Sequence, residues 1–72
     1  MELLPGKYRH FKGNEYELIG TARHSETLEL MVVYRALYGE GGLWVRPAHM
    51  WQETVDRPEY KGPRFTYVSP ME

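Results

Sequence analysis

A chain of 72 residues, 42% apolar and 14% aromatic, makes one domain over 1–72, near the size at which a single core only just outweighs the conformational entropy of folding. It has no cysteine, which excludes a disulfide framework and a thiolate zinc site and leaves hydrophobic packing, with six Tyr and two Trp, or a partner to stabilise it. A formal net charge of -1 argues against a dedicated nucleic-acid module, since phosphate-backbone affinity draws on an excess of Lys and Arg on one face.

The N-terminal MELLPGKYRHF lacks a basic n-region followed by an apolar h-region, and no window approaches the about 18 apolar residues of a membrane span. The expectation is a cytoplasmic protein without membrane contact. Residues 1–4 read as a lead-in ended by the turn-forming Pro5-Gly6. Lys7 to Phe11 reads as a first strand, Lys12-Gly13-Asn14 as a tight turn, and Glu15 to Ala22 as the returning antiparallel strand. In that second strand Tyr16, Leu18, Gly20 and Ala22 share one face at period two, Ile19 breaks the alternation, and Gly20 suggests a bulge or a close approach of another backbone.

Arg23 to Thr27 carries neither periodicity and reads as a loop, with room for one helical turn, held by side-chain to backbone hydrogen bonds from Ser25, Glu26 and Thr27. Leu30 to Tyr38 and Leu43 to Arg46 flank Gly39-Glu40-Gly41-Gly42 and form the central hairpin, the first run apolar on both faces and so expected to be buried on both. A helix competes for the first run, because Leu30, Val33, Tyr34 and Leu37 are spaced i, i+3, i+4, i+7; the β-branched pair and flanking glycines favour the strand. In the second run Leu43 and Val45 face one way, Trp44 and Arg46 the other.

Pro47 ends that strand, and Pro47 to Trp51 looks like one helical turn with proline in its first turn. Glu53 to Val55 allows a short strand, Asp56 to Pro63 has the makeup of a surface loop, Arg64 to Val68 alternates as a closing strand, and 69–72 should fray. Five or six short antiparallel strands, glycine at bends and a one-turn helix describe an all-β domain, a small SH3-like barrel, better than a flat sheet with two open edges.

The segments Pro5-Gly6-Lys7-Tyr8-Arg9-His10-Phe11-Lys12-Gly13, Ala22-Arg23-His24-Ser25-Glu26-Thr27, Val33-Tyr34-Arg35-Ala36-Leu37-Tyr38-Gly39 and Trp44-Val45-Arg46-Pro47 resemble a widespread bacterial family of small domains of unknown function. Its pattern runs PGxYRHFKG, ARHSET, VYRALYG, WVRPxxMF and a terminal PRF. Met50-Trp51 stands where the family usually has Met-Phe, one large aromatic for another. The resemblance implies a compact SH3-like barrel found as a free-standing bacterial protein, with no assigned activity, cofactor or partner.

Three histidines, His10, His24 and His49, have the chemistry to hold a divalent ion, but their spacing matches no local ligand motif, so neither metal nor cofactor is expected. His24-Ser25-Glu26 has the residue types of a nucleophile, base and acid, yet neighbours in an extended segment point in different directions while a triad must converge. Gly39 to Gly42 lacks the Lys-Ser/Thr and helix of a phosphate loop. The arginine and aromatic set is the strongest candidate: Arg9, Tyr34, Arg35, Trp44 and Arg46, with Tyr8, Tyr38 and Trp51, offers guanidinium groups that stack on rings and fork onto carboxylates or phosphates. The same set, paired to Glu17, Glu26, Glu29 or Glu53, could instead staple the barrel together.

The leading expectation is a non-enzymatic module that binds a protein segment or other anionic partner through that surface, with nucleic acid second. A small enzyme or metal-dependent accessory using His10, His24 and Glu26 competes with it. A third reading is a subunit that pairs through an edge strand, making the protein a monomer or weak homodimer.

Overall fold

In the computed structural model, which describes residues 3–71, the chain forms seven strands and one helical turn. These are β1 (Gly6–His10), β2 (Glu15–Arg23), β3 (Leu30–Ala36), β4 (Leu43–Pro47), α1 (Ala48–Trp51), β5 (Thr54–Arg57), β6 (Tyr60–Pro63) and β7 (Phe65–Ser69). The lead-in expected over 1–4 and the fraying expected over 69–72 lie partly outside the described residues, and Ser69 itself still pairs with Lys7. Five strands form one antiparallel sheet in the order β4-β3-β2-β1-β7, while β5 and β6 pair only with each other. The expected all-β fold and its single helical turn are therefore present.

Two strands more than the lower expectation come from 54–63. That stretch was expected to be largely loop, but its prolines lie at the turn and at the end of β6, so Val55 pairs with Gly62 and Asp56 with Lys61 in a hairpin. Val55 is buried, which gives the hairpin an apolar anchor.

The bulge foreseen at Gly20 lies between Leu18 and Gly20, where Ile19 has no partner in the ladder. Its consequence reverses the expected facing of half of β2. One extra residue flips every following side chain. Tyr16 and Leu18 share the inner face with Ala36 and Tyr34, but beyond the bulge it is Thr21 and Arg23, not Gly20 and Ala22, that share it with Val32 and Leu30. β3 is likewise buried on one face, not two: Val32, Tyr34 and Ala36 are buried, whereas Arg35 on the other face is exposed. On β4 the expected split holds, with Trp44 and Arg46 opposite Tyr34 and Val32, and Leu43 and Val45 opposite Arg35 and Val33.

The sheet is strongly coiled. Four steps of about 4.8 Å would put β4 roughly 19 Å from β7 in a flat sheet. Yet the Arg46 guanidinium of β4 lies 5.7 Å from the centre of the Phe65 ring of β7. Leu18 and Val32 are fully buried, and Tyr8, Tyr34, Ala48, Trp51 and Phe65 complete the core in the hollow of the sheet.

Close approach of β1 to the C-terminal strand requires glycine at one position. Gly6 has φ +144°, and a Cβ there would stand 2.7 Å from the Ser69 carbonyl oxygen and 3.0 Å from Cε1 of Tyr67. Gly20 has open space around it and no positive φ. Gly6→Ala should therefore cost at least about 2 kcal/mol in urea unfolding, and Gly20→Ala should stay within about 0.5 kcal/mol of the parent.

Candidate functional site

The arginine and aromatic residues singled out in the sequence do not share one surface. Arg9 and Arg35 lie on the outer face of the sheet, where Arg9 Nη2 donates to Glu15 Oε2 at 2.8 Å and Arg35 Nε stands 3.9 Å from Glu17. Arg35 Nη1 also donates to the Gly41 carbonyl at 3.4 Å. Tyr34 is buried on the inner face, Trp44 is exposed on the β4 edge, and Arg46 covers the Phe65 ring. Part of the set is thus used internally.

The second cluster is also divided. His10 ends β1 and His24 follows β2, whose nine residues span about 27 Å, so the two imidazoles flank opposite ends of that strand. His24 Nδ1 accepts from the amides of Glu26 (3.1 Å) and Thr27 (3.4 Å), and Thr27 Oγ1 accepts from the Glu29 amide. The loop is held from the side chain, as expected, but by His24 and Thr27 rather than Ser25 and Glu26. Leu28 completes it in a left-handed conformation, φ 65°, with Arg23 donating to its carbonyl. His49 pairs with Glu29 at 3.2 Å. Among the described residues no three His, Asp or Glu side chains are grouped to hold a metal ion.

A different constellation gathers at Phe11. The Arg57 and Arg64 guanidinium carbons lie 5.1 and 5.8 Å from the centre of its ring and Lys12 Nζ lies 5.9 Å away. Tyr60 stacks on the same ring at 5.3 Å. The chain is tied here by backbone bonds, Phe11 N–H to the Arg64 carbonyl and Arg64 N–H to the Glu53 carbonyl, so three separate segments meet at one ring. Beside it a hollow of about 440 Å³ is lined by Arg9, His10, Phe11, Tyr60, Thr66 and Tyr67.

The positive charge continues inward. His10 packs on Phe11 at 4.6 Å and on Phe65 at 5.0 Å, and Phe65 carries Arg46 on its ring. Burial, followed by the charges of Arg64, Arg46, Lys12 and Arg57, holds the His10 imidazole below its ordinary value of 6.5. Its Nδ1 accepts from the Lys12 amide at 3.1 Å, which keeps the ring in place. Next to it Tyr16 shares a hydrogen bond with Tyr38 at 2.9 Å; burial and then that bond push its phenol up to about 12.

Phe11, Lys12, Arg57 and Arg64 are not visible as a group in the sequence, where Phe11 ends the first expected strand, Lys12 belongs to a turn, Arg57 to a loop and Arg64 to the expected closing strand. Their one visible signal was the recurrence of a cation beside an aromatic, Phe11-Lys12 and Arg64-Phe65. A second hollow, about 250 Å³, opens between the core and the 54–63 hairpin, with Tyr8, Trp51, Thr54, Pro63 and Phe65 among its walls. Among the described residues no helix is long and apolar enough to cross a membrane.

Residues 6–67 match the model of a family described as "Protein of unknown function (DUF1653)", and the chain belongs to that family. It is similar to the crystal structure of a DUF1653 protein from Bordetella bronchiseptica, at 42% identity and a TM-score of 0.88 over 99% of this chain and 94% of the other. Comparison with curated proteins gave no match.

The depressed His10 has a consequence for stability. A proton on this imidazole favours the unfolded chain, so its contribution is complete above pH 6.5 and is lost as pH falls below 6.5 through the lower folded-state value. Urea midpoints should fall between pH 7 and pH 5, and His10→Asn should flatten that part of the profile. The His10 ring signals in NMR should titrate below 6.5.

Proposed function

We propose that this member of a family without assigned function is a non-enzymatic binding module, with the strand arrangement of an SH3-like barrel, that holds an acidic protein segment against the cationic aromatic surface around Phe11. The observation that carries this reading is the convergence of Lys12, Arg57 and Arg64 on one aromatic ring in a chain whose net charge is -1. Cations brought together against the average of the chain focus a local field that attracts an anion. The neighbouring hollow and Tyr60 give an extended segment apolar surface beside that field.

Carboxylate fits the site better than phosphate backbone. Arg57 already faces Glu59 at 3.9 Å and Arg64 meets Glu53 at 3.0 Å, so the chain's own acids prefigure the contacts a ligand would make. The Arg57 pair is long and solvent-exposed, a class of contact worth about 0–1 kcal/mol, and an incoming carboxylate readily replaces it. Lys12 has no carboxylate within 4.0 Å among the described residues. Catalysis by His10, His24 and Glu26 finds no comparable support, because His10 and His24 flank opposite ends of β2.

Titration with hexaglutamate, followed by NMR, should shift the signals of Phe11, Tyr60 and Lys12 and raise the His10 titration midpoint as added negative charge favours the imidazolium. The exposed double variant Lys12→Ala/Arg57→Ala should bind at least about tenfold more weakly while unfolding at the parent temperature. Shifts that map elsewhere, or an unchanged affinity in the double variant, would remove the site. Preferential binding of a short oligothymidylate would replace the protein segment with nucleic acid.

A further inference from the structure

The β4 edge carries a second interaction surface that does not depend on the Phe11 site. β4 pairs with β3 alone and leaves its other side open. Its side chains are apolar and bare: Leu43 is 58% exposed, Trp44 60% and Val45 61%. From Leu43 to Val45 the edge has no charge, proline or bulge; Arg46 and Pro47, which could guard it, stand at the end of the strand next to α1.

The ladder fixes which backbone groups are open. The Ala36 amide donates to the Gly42 carbonyl at 3.1 Å, and the β3–β4 register runs without interruption from there. Antiparallel pairs alternate between hydrogen-bonded and non-hydrogen-bonded, so Trp44 and Arg46 aim their amides and carbonyls at β3, whereas Leu43 and Val45 aim theirs outward. Pro47 falls in the outward set. Its missing N–H therefore costs the β3–β4 ladder nothing, which is why proline is accommodated in a strand that pairs as far as Met31.

We propose that β4 is the self-association edge of this protein, taking a second copy of the chain in antiparallel register about a twofold axis at Val45. In that register Val45 opposes Val45 of the second copy, and each amide donates to the other carbonyl. Leu43 opposes the second copy's Pro47, whose carbonyl, as the N-cap of α1, already accepts the first helical N–H and offers its second lone pair to the Leu43 amide, so every outward N–H between 43 and 47 finds an acceptor. On the inner face Trp44 opposes the partner's Arg46. The Arg46 guanidinium, which already lies on Phe65 of its own chain, then has an indole across the seam. No like charges are opposed. A twofold needs one strand complementary to itself, and LWVRP meets that condition where an arbitrary partner strand has no such constraint to satisfy.

Five residues from each copy make an interface well below standard size, so the dimer is weak, with a Kd of about 10–500 μM. Sedimentation velocity from about 5 μM to 1 mM should show the mass rise from 8.5 kDa toward twice that value. Val45→Lys places two ammonium groups on the axis and should weaken association at least about tenfold, with thermal unfolding of the dilute protein unchanged because Val45 is exposed.

Register is tested separately, using the absence of any native cysteine. Under mild oxidation Val45→Cys should cross-link at least about fivefold faster than Leu43→Cys. Hydrogen-bonded partners have Cα atoms about 5.5 Å apart, within disulfide reach, while two copies of residue 43 lie four positions out of register. A parent chain that stays at 8.5 kDa throughout, a Val45→Lys variant that associates like the parent, or equal cross-linking of the two cysteines would each overturn the proposal.

Discussion

The fold depends on one stack of rings. Trp51, at the end of the helical turn, lies parallel to Phe65 of β7 with centroids 3.8 Å apart and 4° between the planes. Tyr8 meets the same indole edge-on at 5.4 Å and Tyr34 meets it at 5.0 Å, so rings from β1, β3 and β7 converge on one side chain. Such contacts add about 0.5–1.5 kcal/mol each beyond the area they bury. The indole Nε1 is buried without a hydrogen-bond partner among the described residues, an expense of about 1–3 kcal/mol that the packing must offset. Among the described residues the largest fully buried side chains are no bigger than Leu18 and Val32, so this ring stands in for the depth a larger core would have.

Filling the hollow from one side imposes the coil of the sheet. The bulge at Ile19 lets β2 bend, the bend brings β4 within reach of β7, and the concave face closes over Trp51. The concave aromatics are thereby committed to the interior. What remains for recognition is the rim, where Phe11 emerges half-buried from the turn after β1 and collects cations from the hairpin and from Arg64, just before β7. The same coil carries Arg46 to Phe65 and so joins the β4 edge to the cationic region through His10.

Local signals in the sequence were enough for the all-β class, the turn at 12–14, the glycine hairpin, the helical turn after Pro47 and the bulge beside Gly20. Each rests on contacts between near neighbours. The facing of β2 beyond the bulge was not legible, because a bulge can be suspected from Gly20 but the residue it excludes is decided by packing across the sheet. The 54–63 hairpin was hidden by its two prolines and charged residues, which match a loop until Val55 is known to be buried. The candidate site was the least legible part. Arg9, Tyr34, Arg35, Trp44 and Arg46 are close in type and lie on regular strands, yet the period-two alternation sends them to opposite faces. Phe11-Lys12, Arg57 and Arg64 are far apart in the chain and meet through tertiary contacts, the Phe11 N–H to Arg64 carbonyl bond and the 54–63 hairpin that carries Arg57.

The outer face of the sheet explains why its two halves behave differently. Across β1 and β2, Lys7, Arg9, Glu15 and Glu17 form a ladder of opposite charges that reaches Arg35 on β3. Partly exposed pairs of this kind add little stability, about 0–1 kcal/mol each. Their effect is on specificity: a strand slipped by one residue would oppose an acid to an apolar group, and another chain approaching this half would have to strip water from fixed charges. Beyond Arg35 the ladder stops, and Val33, Leu43 and Val45 continue the same face without a charge. The half that is guarded is covered by neighbouring strands on both sides, and the half that is bare ends at the open strand. Stability of the single chain supplies no reason for leaving apolar side chains on that edge, since neither Leu43 nor Val45 contributes to the core.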